Sequence, residues 1–357
     1  MAGSQYVYSF GKCIFMPADL TAGIEFNQDK LEDNMWGYHR TVDQKVNIGS
    51  AFFQNEWKNE HWGFLIGGRL DKHNLIDHVI FSPRANLRYN PTENINLRFS
   101  YSSGFRAPQA FDEDLHVENV GGNVAMVELA DNLKEERSQS LSASADIYHR
   151  FGAFQVNFLV EGFYTKLSDV FALTDGEVVD GILTRTRYNA PGARVMGLTL
   201  EGKMAYLTKF QVQAGVTLQQ SHYSEPHVWN KEAPAVKKMM RTPNTYGYFT
   251  ATYTPIKPLS IALSGTYTGS MLVPHEPVPG FLEKPITVNT KDFFDIGLKA
   301  AYDFRLYKSM NLQVNAGVQN IFNAYQNDFD KGADRDSGYI YGPSLPRSFF
   351  AGVKISY

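Results

Sequence analysis

The chain is poor in the features that mark most protein classes. Cys13 is the single cysteine among 357 residues, so no internal disulfide and no cysteine-based metal site can form. It reads as a small buried residue, and no cofactor is expected. No stretch approaches the roughly 18 apolar residues of a membrane-crossing helix. The start, MAGSQYVYSFGKC, lacks the basic segment, apolar core and cleavage site of a secretory signal. Neither sign of charge is in excess, with 34 basic against 37 acidic residues. No basic cluster is interleaved with aromatics, so nucleic acid is not an expected partner. GxSxG and HExxH are absent, and no carboxylate pair is placed together, which argues against an enzyme.

Aromatics are abundant, at 20 Tyr, 25 Phe and 4 Trp. Many of them sit in windows that alternate with period two. In FQVQAGVTLQ, residues Phe210, Val212, Ala214, Val216 and Leu218 take one face, and Gln211, Gln213, Thr217 and Gln219 take the other. MNLQVNAGVQ from Met310, INLRFSYSS from Ile95 and FQVNFLVEGFY from Phe154 repeat the pattern. Period two belongs to a strand with two unlike faces, either the half-buried edge of a soluble sandwich or a strand between lipid and a watery lumen. About fifteen such windows, each about ten residues, run from near Tyr6 to near Ser348, and ten residues suits a tilted membrane-spanning strand.

The connections separate the two readings. Counted back from the C-terminus, long ones alternate with short ones such as RLYKS, TPIKP and YLTK. An outer-membrane barrel keeps short turns on the periplasmic side and long loops outside. A sandwich has no reason to hold that parity. Tyr89, Tyr148, Tyr206, Tyr253, Tyr302 and Tyr357 lie near the short-turn ends, where an interfacial aromatic girdle is expected. The chain closes on RSFFAGVKISY, with Phe349, Val353, Ile355 and Tyr357 on one face. That alternation ending on an aromatic resembles the C-terminal signal read by the outer-membrane assembly machinery. The expectation is all-β: an antiparallel transmembrane β-barrel in a bacterial outer membrane, with outer-membrane lipid as its first partner.

Several segments resemble one family. YSSGFRAPQAF (Tyr101 to Phe111) resembles the FRAP-type segment of TonB-dependent outer-membrane receptors, and it is followed by a long loop and NLKEERSQSLSASADIY. YNAPGARVMGLTLEG, VQNIFNAYQNDFD and GYIYGPSLPRSFFAGVKISY resemble later parts of the same barrel. The resemblance implies a barrel of about 22 strands around an N-terminal plug. It further implies energised import of a scarce bulky ligand such as an iron chelate, haem or cobalamin. No plug or TonB box precedes the first window. Residues 1–357 are therefore expected to be the C-terminal portion of such a barrel, with about fifteen strands. Met1 would be an internal start, and TonB would be reached only through the missing plug.

Candidate ligand sites fall in the long loops. Asp112, Glu113 and Asp114 in FDEDLH could hold a cation or a basic group, or simply face water. Arg106 precedes them and His116 follows. Haem receptors of the resembled family place a ligand histidine in this region, before an NPNL segment that is reduced here to DNL at Asp131 to Leu133. His222, Tyr223, His227 and Trp229 share another loop, where imidazoles could ligate iron and aromatics could grip a planar extracellular molecule. Arg84, Arg88, Arg98 and Arg106, with Asp146 and Glu161, face inward and could form a charged belt in the lumen or pair structurally across strands. The rival function is a self-contained diffusion porin of about sixteen strands.

Overall fold

A computed structural model describes residues 1–38, 40–108, 118–120, 123–174, 178–179, 182–307, 309–332, 335–336, 338–343 and 345–357. The chain opens with the hairpin β1 (Ala2–Cys13) and β2 (Met16–Met35), then a single 3-10 turn at Trp36–Tyr38. Next come β3 (Arg40–Lys58), β4 (Trp62–His73), β5 (Ile80–Thr92) and β6 (Ile95–Arg106). Two short strands, β7 (Glu118–Val120) and β8 (Asn123–Leu129), precede β9 (Glu136–Phe151) and β10 (Phe154–Ser168). The next loop holds β11 (Val170–Thr174), β12 (Val178–Val179) and β13 (Ile182–Ala190). Then follow β14 (Ala193–Tyr206), β15 (Phe210–His227), β16 (Val236–Lys238), β17 (Thr245–Ile256) and β18 (Leu259–Thr268). The small hairpin β19 (Leu272–His275) and β20 (Ile286–Asn289) leads to β21 (Phe293–Tyr307), β22 (Met310–Gln319) and β23 (Ser348–Ser356).

The main sheet follows one path, β1-β2-β3-β4-β5-β6-β9-β10-β14-β15-β17-β18-β21-β22-β23, with β16 paired beside β15. Every step along it is antiparallel. Each alternating window of the sequence lies on one strand of this path. The fold is all-β, and no described helix is long and apolar enough to cross a membrane. The path joins an odd number of strands, so its edges β1 and β23 run in the same direction. Neither edge pairs with the other among the described residues.

Register fixes the two faces. Tyr101, Leu141, Tyr164 and Met196 stand opposite one another on one face, as do Phe99, Ala143, Gly162 and Leu198. That outer face leaves its apolar side chains exposed, Phe99, Phe158 and Leu218 among them. Packed apolar clusters lie instead at the long-loop end. Ile76, Ile80 and Ala107 pack with Phe105, and Met271, Val273 and Tyr339 pack with Val288 and Tyr341. A soluble protein would invert this distribution, whereas lipid wets an exposed apolar belt.

The parity of connections holds at the short-turn end, where residues 14–15, 59–61, 93–94, 152–153, 207–209 and 257–258 make the turns. Left-handed backbone at Ile14, Gly152 and Leu207 closes three of them. At the other end two connections are shorter than the parity predicts: residues 36–39 and 74–79. There the strands themselves supply the projection. β2 runs for 20 residues, and its outer face changes from Leu20, Ala22, Ile24 and Phe26 to Gln28, Lys30 and Glu32. The change marks the upper limit of the apolar belt. Tyr148 departs from the girdle expectation. Its position opposite Asn157 puts it on the inner face, where its hydroxyl donates to Asp146 Oδ2 at 2.9 Å. Tyr89, Tyr206, Tyr253 and Tyr302 do take the outer face, opposite Leu97, Phe154, Phe210 and Leu259. Phe349, Val353 and Ile355 of β23 share it, all exposed.

Candidate functional site

The inner wall is polar and hydrogen-bonded within itself. Arg69 donates from Nε to Asp71 Oδ1 at 2.8 Å and from Nη2 to Ser50 Oγ at 2.7 Å, and its Nη1 lies 2.7 Å from Glu25 Oε2. On the far side Glu201 accepts from Lys203 and from the Tyr248 hydroxyl, to which Gln213 also donates. The expected charge belt is present but not paired as expected. Arg88 faces Arg98 directly across the β5–β6 ladder. Arg98 turns to Asn96 Oδ1, Arg88 donates to the Asn59 carbonyl, and Asp146 accepts from Asn157 and Tyr148. Among the described residues Arg84, Arg88 and Arg98 make no ion pair.

Above this wall the long loops form the mouth. Arg106 ends β6 on the inner row, opposite Glu136. Its Nη2 is 3.8 Å from Glu136 Oε2, and its guanidinium lies 4.8 Å from the centre of the Phe171 ring. Buried Arg187 approaches the same ring to 5.7 Å. The Phe171 N–H donates to Glu136 Oε2 at 3.0 Å, which holds the ring in place. β13 carries Arg187 because it pairs in parallel with β8 and antiparallel with β11, joining two loops in one small sheet. Arg185 of that strand reaches Glu276 at 3.9 Å. Nearby, His78 and Arg137 both contact Glu135 Oε1, at 3.0 and 2.8 Å. Burial pushes the Glu135 pKa up, but its backbone hydrogen bond, Arg137 and His78 outweigh that and hold the carboxyl below its usual range.

The second predicted cluster divides. Tyr223 and His227 stay together, their rings 4.8 Å apart, beyond the membrane-spanning part of β15. Burial raises the Tyr223 pKa and lowers that of His227, which keeps both neutral. Trp229 adjoins them in sequence, and its indole Nε1 is enclosed with no acceptor among the described residues. His222 stands on the outer face with Leu218 and Gln220, opposite Arg194. Asp112, Glu113, Asp114 and His116 lie outside the described residues. No group of three or more His, Cys, Asp or Glu that could hold a metal occurs among the described residues.

Sequence reasoning missed a third constellation. His275 Nε2 is 2.9 Å from Asp330 Oδ2, and its ring stacks on Tyr339 at 3.8 Å. The Tyr339 and Tyr341 hydroxyls donate to the two oxygens of Asp328, at 3.2 and 2.6 Å. Arg241 donates to the carbonyls of Ile340 and Gly338. Loops 228–244, 269–292 and 320–347 are thereby fastened into one cap. The signal available was the run GYIYGP, whose aromatics are wasted in a merely solvated loop.

A family model described as TonB dependent receptor-like, beta-barrel, matches residues 3–321. Among solved structures, the chain is similar to the siderophore receptor PirA from Acinetobacter baumannii, at 16% identity and a TM-score of 0.69 over 98% of this chain and 53% of that one. A ferric enterobactin receptor (PfeA) variant from Pseudomonas aeruginosa, in complex with enterobactin, gives 18% identity and a TM-score of 0.70 over the same shares. The ferric-catecholate import receptor Fiu from E. coli K12 gives 16% and 0.64, again over 98% and 53%. At these identities the likeness shows the fold alone. The chain spans about half the length of the receptors it matches. No curated protein sequence gives a significant match.

Proposed function

The chain belongs to the TonB-dependent receptor-like β-barrel family, a family of transport receptors rather than enzymes, and from that premise we propose that it forms the C-terminal wall of an outer-membrane receptor importing an anionic iron chelate. The observation that carries the reading is the mouth, where exposed Arg106 stands 4.8 Å from the centre of the Phe171 ring, with buried Arg187 supporting that ring from within. An exposed guanidinium beside an aromatic face suits a planar, negatively charged ligand. Tyr223 and His227, with their rings 4.8 Å apart, add a second aromatic pair among the candidate ligand residues. That the structural neighbours are siderophore and ferric-catecholate receptors favours an iron chelate over haem or cobalamin.

The same premise accounts for the open sheet. Unpaired strand edges cost several kcal/mol per backbone group in hydrocarbon. Direct closure of β1 on β23 would make a parallel pair, so an odd number of further strands is needed for antiparallel closure. We assign those strands, and a plug that contacts TonB, to parts of the receptor outside residues 1–357. Arg84, Arg88 and Arg98, which make no ion pair among the described residues, would face that plug. A self-contained porin would leave both the edges and these charges without partners.

The test is ligand binding by the complete receptor isolated from outer membranes, with a ferric tris-catecholate titrated against intrinsic fluorescence. Saturable binding is expected, and Arg106→Gln should weaken it at least tenfold, about 1.4 kcal/mol. Steady ohmic conductance in a planar bilayer with no chelate binding would overturn the reading in favour of the porin.

A further inference from the structure

We propose that the outer face of β10, β14, β15 and β16 binds a phosphate-bearing lipid of the outer leaflet, an inference that rests on the membrane reading of this face. Register sets Lys166 opposite Arg194, Arg194 opposite His222 and His222 opposite Lys238. Three cations and an imidazole thus form one continuous row across four strands. Strand parity puts the row on the lipid side, because the next outward positions below it are Tyr164, Met196 and Gln220, and the next are Gly162, Leu198 and Leu218. The row lies toward the long-loop end, at the level where outer-leaflet headgroups begin.

Adjacent strands are about 4.8 Å apart, so the row spans roughly 15 Å and its neighbouring charges lie well within a Debye length of about 8 Å. Like charges directly opposite one another weaken a sheet. Yet among the described residues none of the four makes an ion pair. A fixed anion at this height would relieve the repulsion, and phosphate offers several strong acceptors to neighbouring donors.

A second observation lies directly beneath. An apolar groove of about 890 Å³ runs down the same outer face, lined by Phe99, Leu141, Tyr164, Leu198 and Leu218. Gly162 opens its floor, with nothing within 4 Å of the place a Cβ would occupy, and Ala143 stands opposite Gly162. Cations above an apolar trough reproduce the order of a lipid, phosphate at the interface and acyl chain below. A soluble anion would leave the groove unused, and a neutral amphiphile would leave the row unneutralised.

The experiment measures lipid retained by the complete receptor after isolation in mild detergent and reconstitution into phosphatidylcholine vesicles. The vesicles carry lipid A, lipid A stripped of its phosphates, or neither. Intact lipid A should be retained in native mass spectra and the dephosphorylated form at least tenfold less. The triple variant K166Q/R194Q/K238Q should lose retention at least tenfold by removing the head contact. G162F should lose it by filling the groove with every charge in place. Millimolar inorganic phosphate should not displace the lipid. Equal retention by the variants, equal retention of the dephosphorylated lipid, or displacement by free phosphate would each overturn the site. Heat-modifiable migration of every variant shows that the barrel itself is intact. Failure of the complete unsubstituted receptor to enter vesicles would overturn the membrane reading together with the site.

Discussion

His275 and Asp330 bind two long loops to each other, Nε2 to Oδ2 at 2.9 Å, with both side chains nearly closed to solvent. The bond joins the β19–β20 hairpin to the loop after β22, and stacking on Tyr339 holds the imidazole flat. Replacing His275 by Ala leaves Asp330 Oδ2 with the Asp336 N–H alone. A buried acceptor that loses a partner costs about 1–3 kcal/mol. That cost falls on the cap and not on the strands. Limited proteolysis within 320–347 should accelerate roughly tenfold or more, while heat-modifiable migration stays unchanged. Global unfolding of the variant would show that the cap is part of the barrel's cooperative unit.

The two tyrosines on Asp328 should titrate abnormally. Burial and the adjacent Asp328 charge push the Tyr339 hydroxyl up to about 12, and burial with the Asp328 hydrogen bond drives Tyr341 upward as well. Both are raised relative to the unfolded chain, so their contribution to the cap is complete below about pH 10 and is lost as pH rises through the folded values. Burial raises the Asp328 pKa, but the bonds from Tyr341 and Tyr339 outweigh it and the net shift is downward. Its contribution is therefore lost only as pH falls below the ordinary carboxylate range. Ultraviolet titration of phenolate absorbance should show these rings ionising after the exposed tyrosines. In Asp328→Asn the Tyr339 transition should move back toward 10. An unchanged transition would mean that the carboxylate is not its partner.

The Arg69–Asp71 pair should matter more than the exposed charges around it. Asp71 is buried, and it accepts from Arg69 Nε and from Ser50 Oγ at 2.6 Å. Arg69→Met removes the cation and leaves the carboxylate with Ser50 alone. The loss should be about 1–3 kcal/mol, toward the lower end because the guanidinium is partly open to solvent. Glu25→Gln, at the rim of the same network, should cost under about 1 kcal/mol. Urea midpoints of refolded protein in detergent would rank the two. The reverse order would mean that Glu25, and not Asp71, anchors the arginine.

The fold was legible because it repeats. Each spanning strand carries its own alternation, so about fifteen windows were countable without any long-range information. Connection lengths gave the sidedness for the same reason. The departures have local causes: β2 is long enough to project without a long loop, and Tyr148 sits one position out of phase with the outer row. The mouth was less legible. Arg106 was found from its segment, but Phe171 reaches it through its N–H bond to Glu136, and Arg187 through the antiparallel β11–β13 pairing of a separate loop, which no local pattern encodes. His275, Asp330 and Tyr339 meet across 55 and 64 residues of sequence. Loop composition marks such residues as polar or aromatic without saying which of them meet.

Glycine placement gives a contrast inside a single sheet. At Gly67, on the inner face of β4, an added Cβ would come within 2.8 Å of the Phe53 carbonyl oxygen and of Gln54 Cβ. A backbone oxygen in the β3–β4 ladder cannot yield without bending a strand, so Gly67→Ala should destabilise by about 1–3 kcal/mol. At Gly162 an added Cβ meets nothing within 4 Å. There the substitution only restricts the unfolded chain, and Gly162→Ala should stabilise by about 0.5–1 kcal/mol. Opposite shifts of the urea midpoint, with unchanged slopes, are the expected result. A destabilising Gly162→Ala would mean that something fills the groove above it in the folded protein. The lipid site anticipates that outcome in native membranes but not in lipid-free detergent, so the comparison should be made in both.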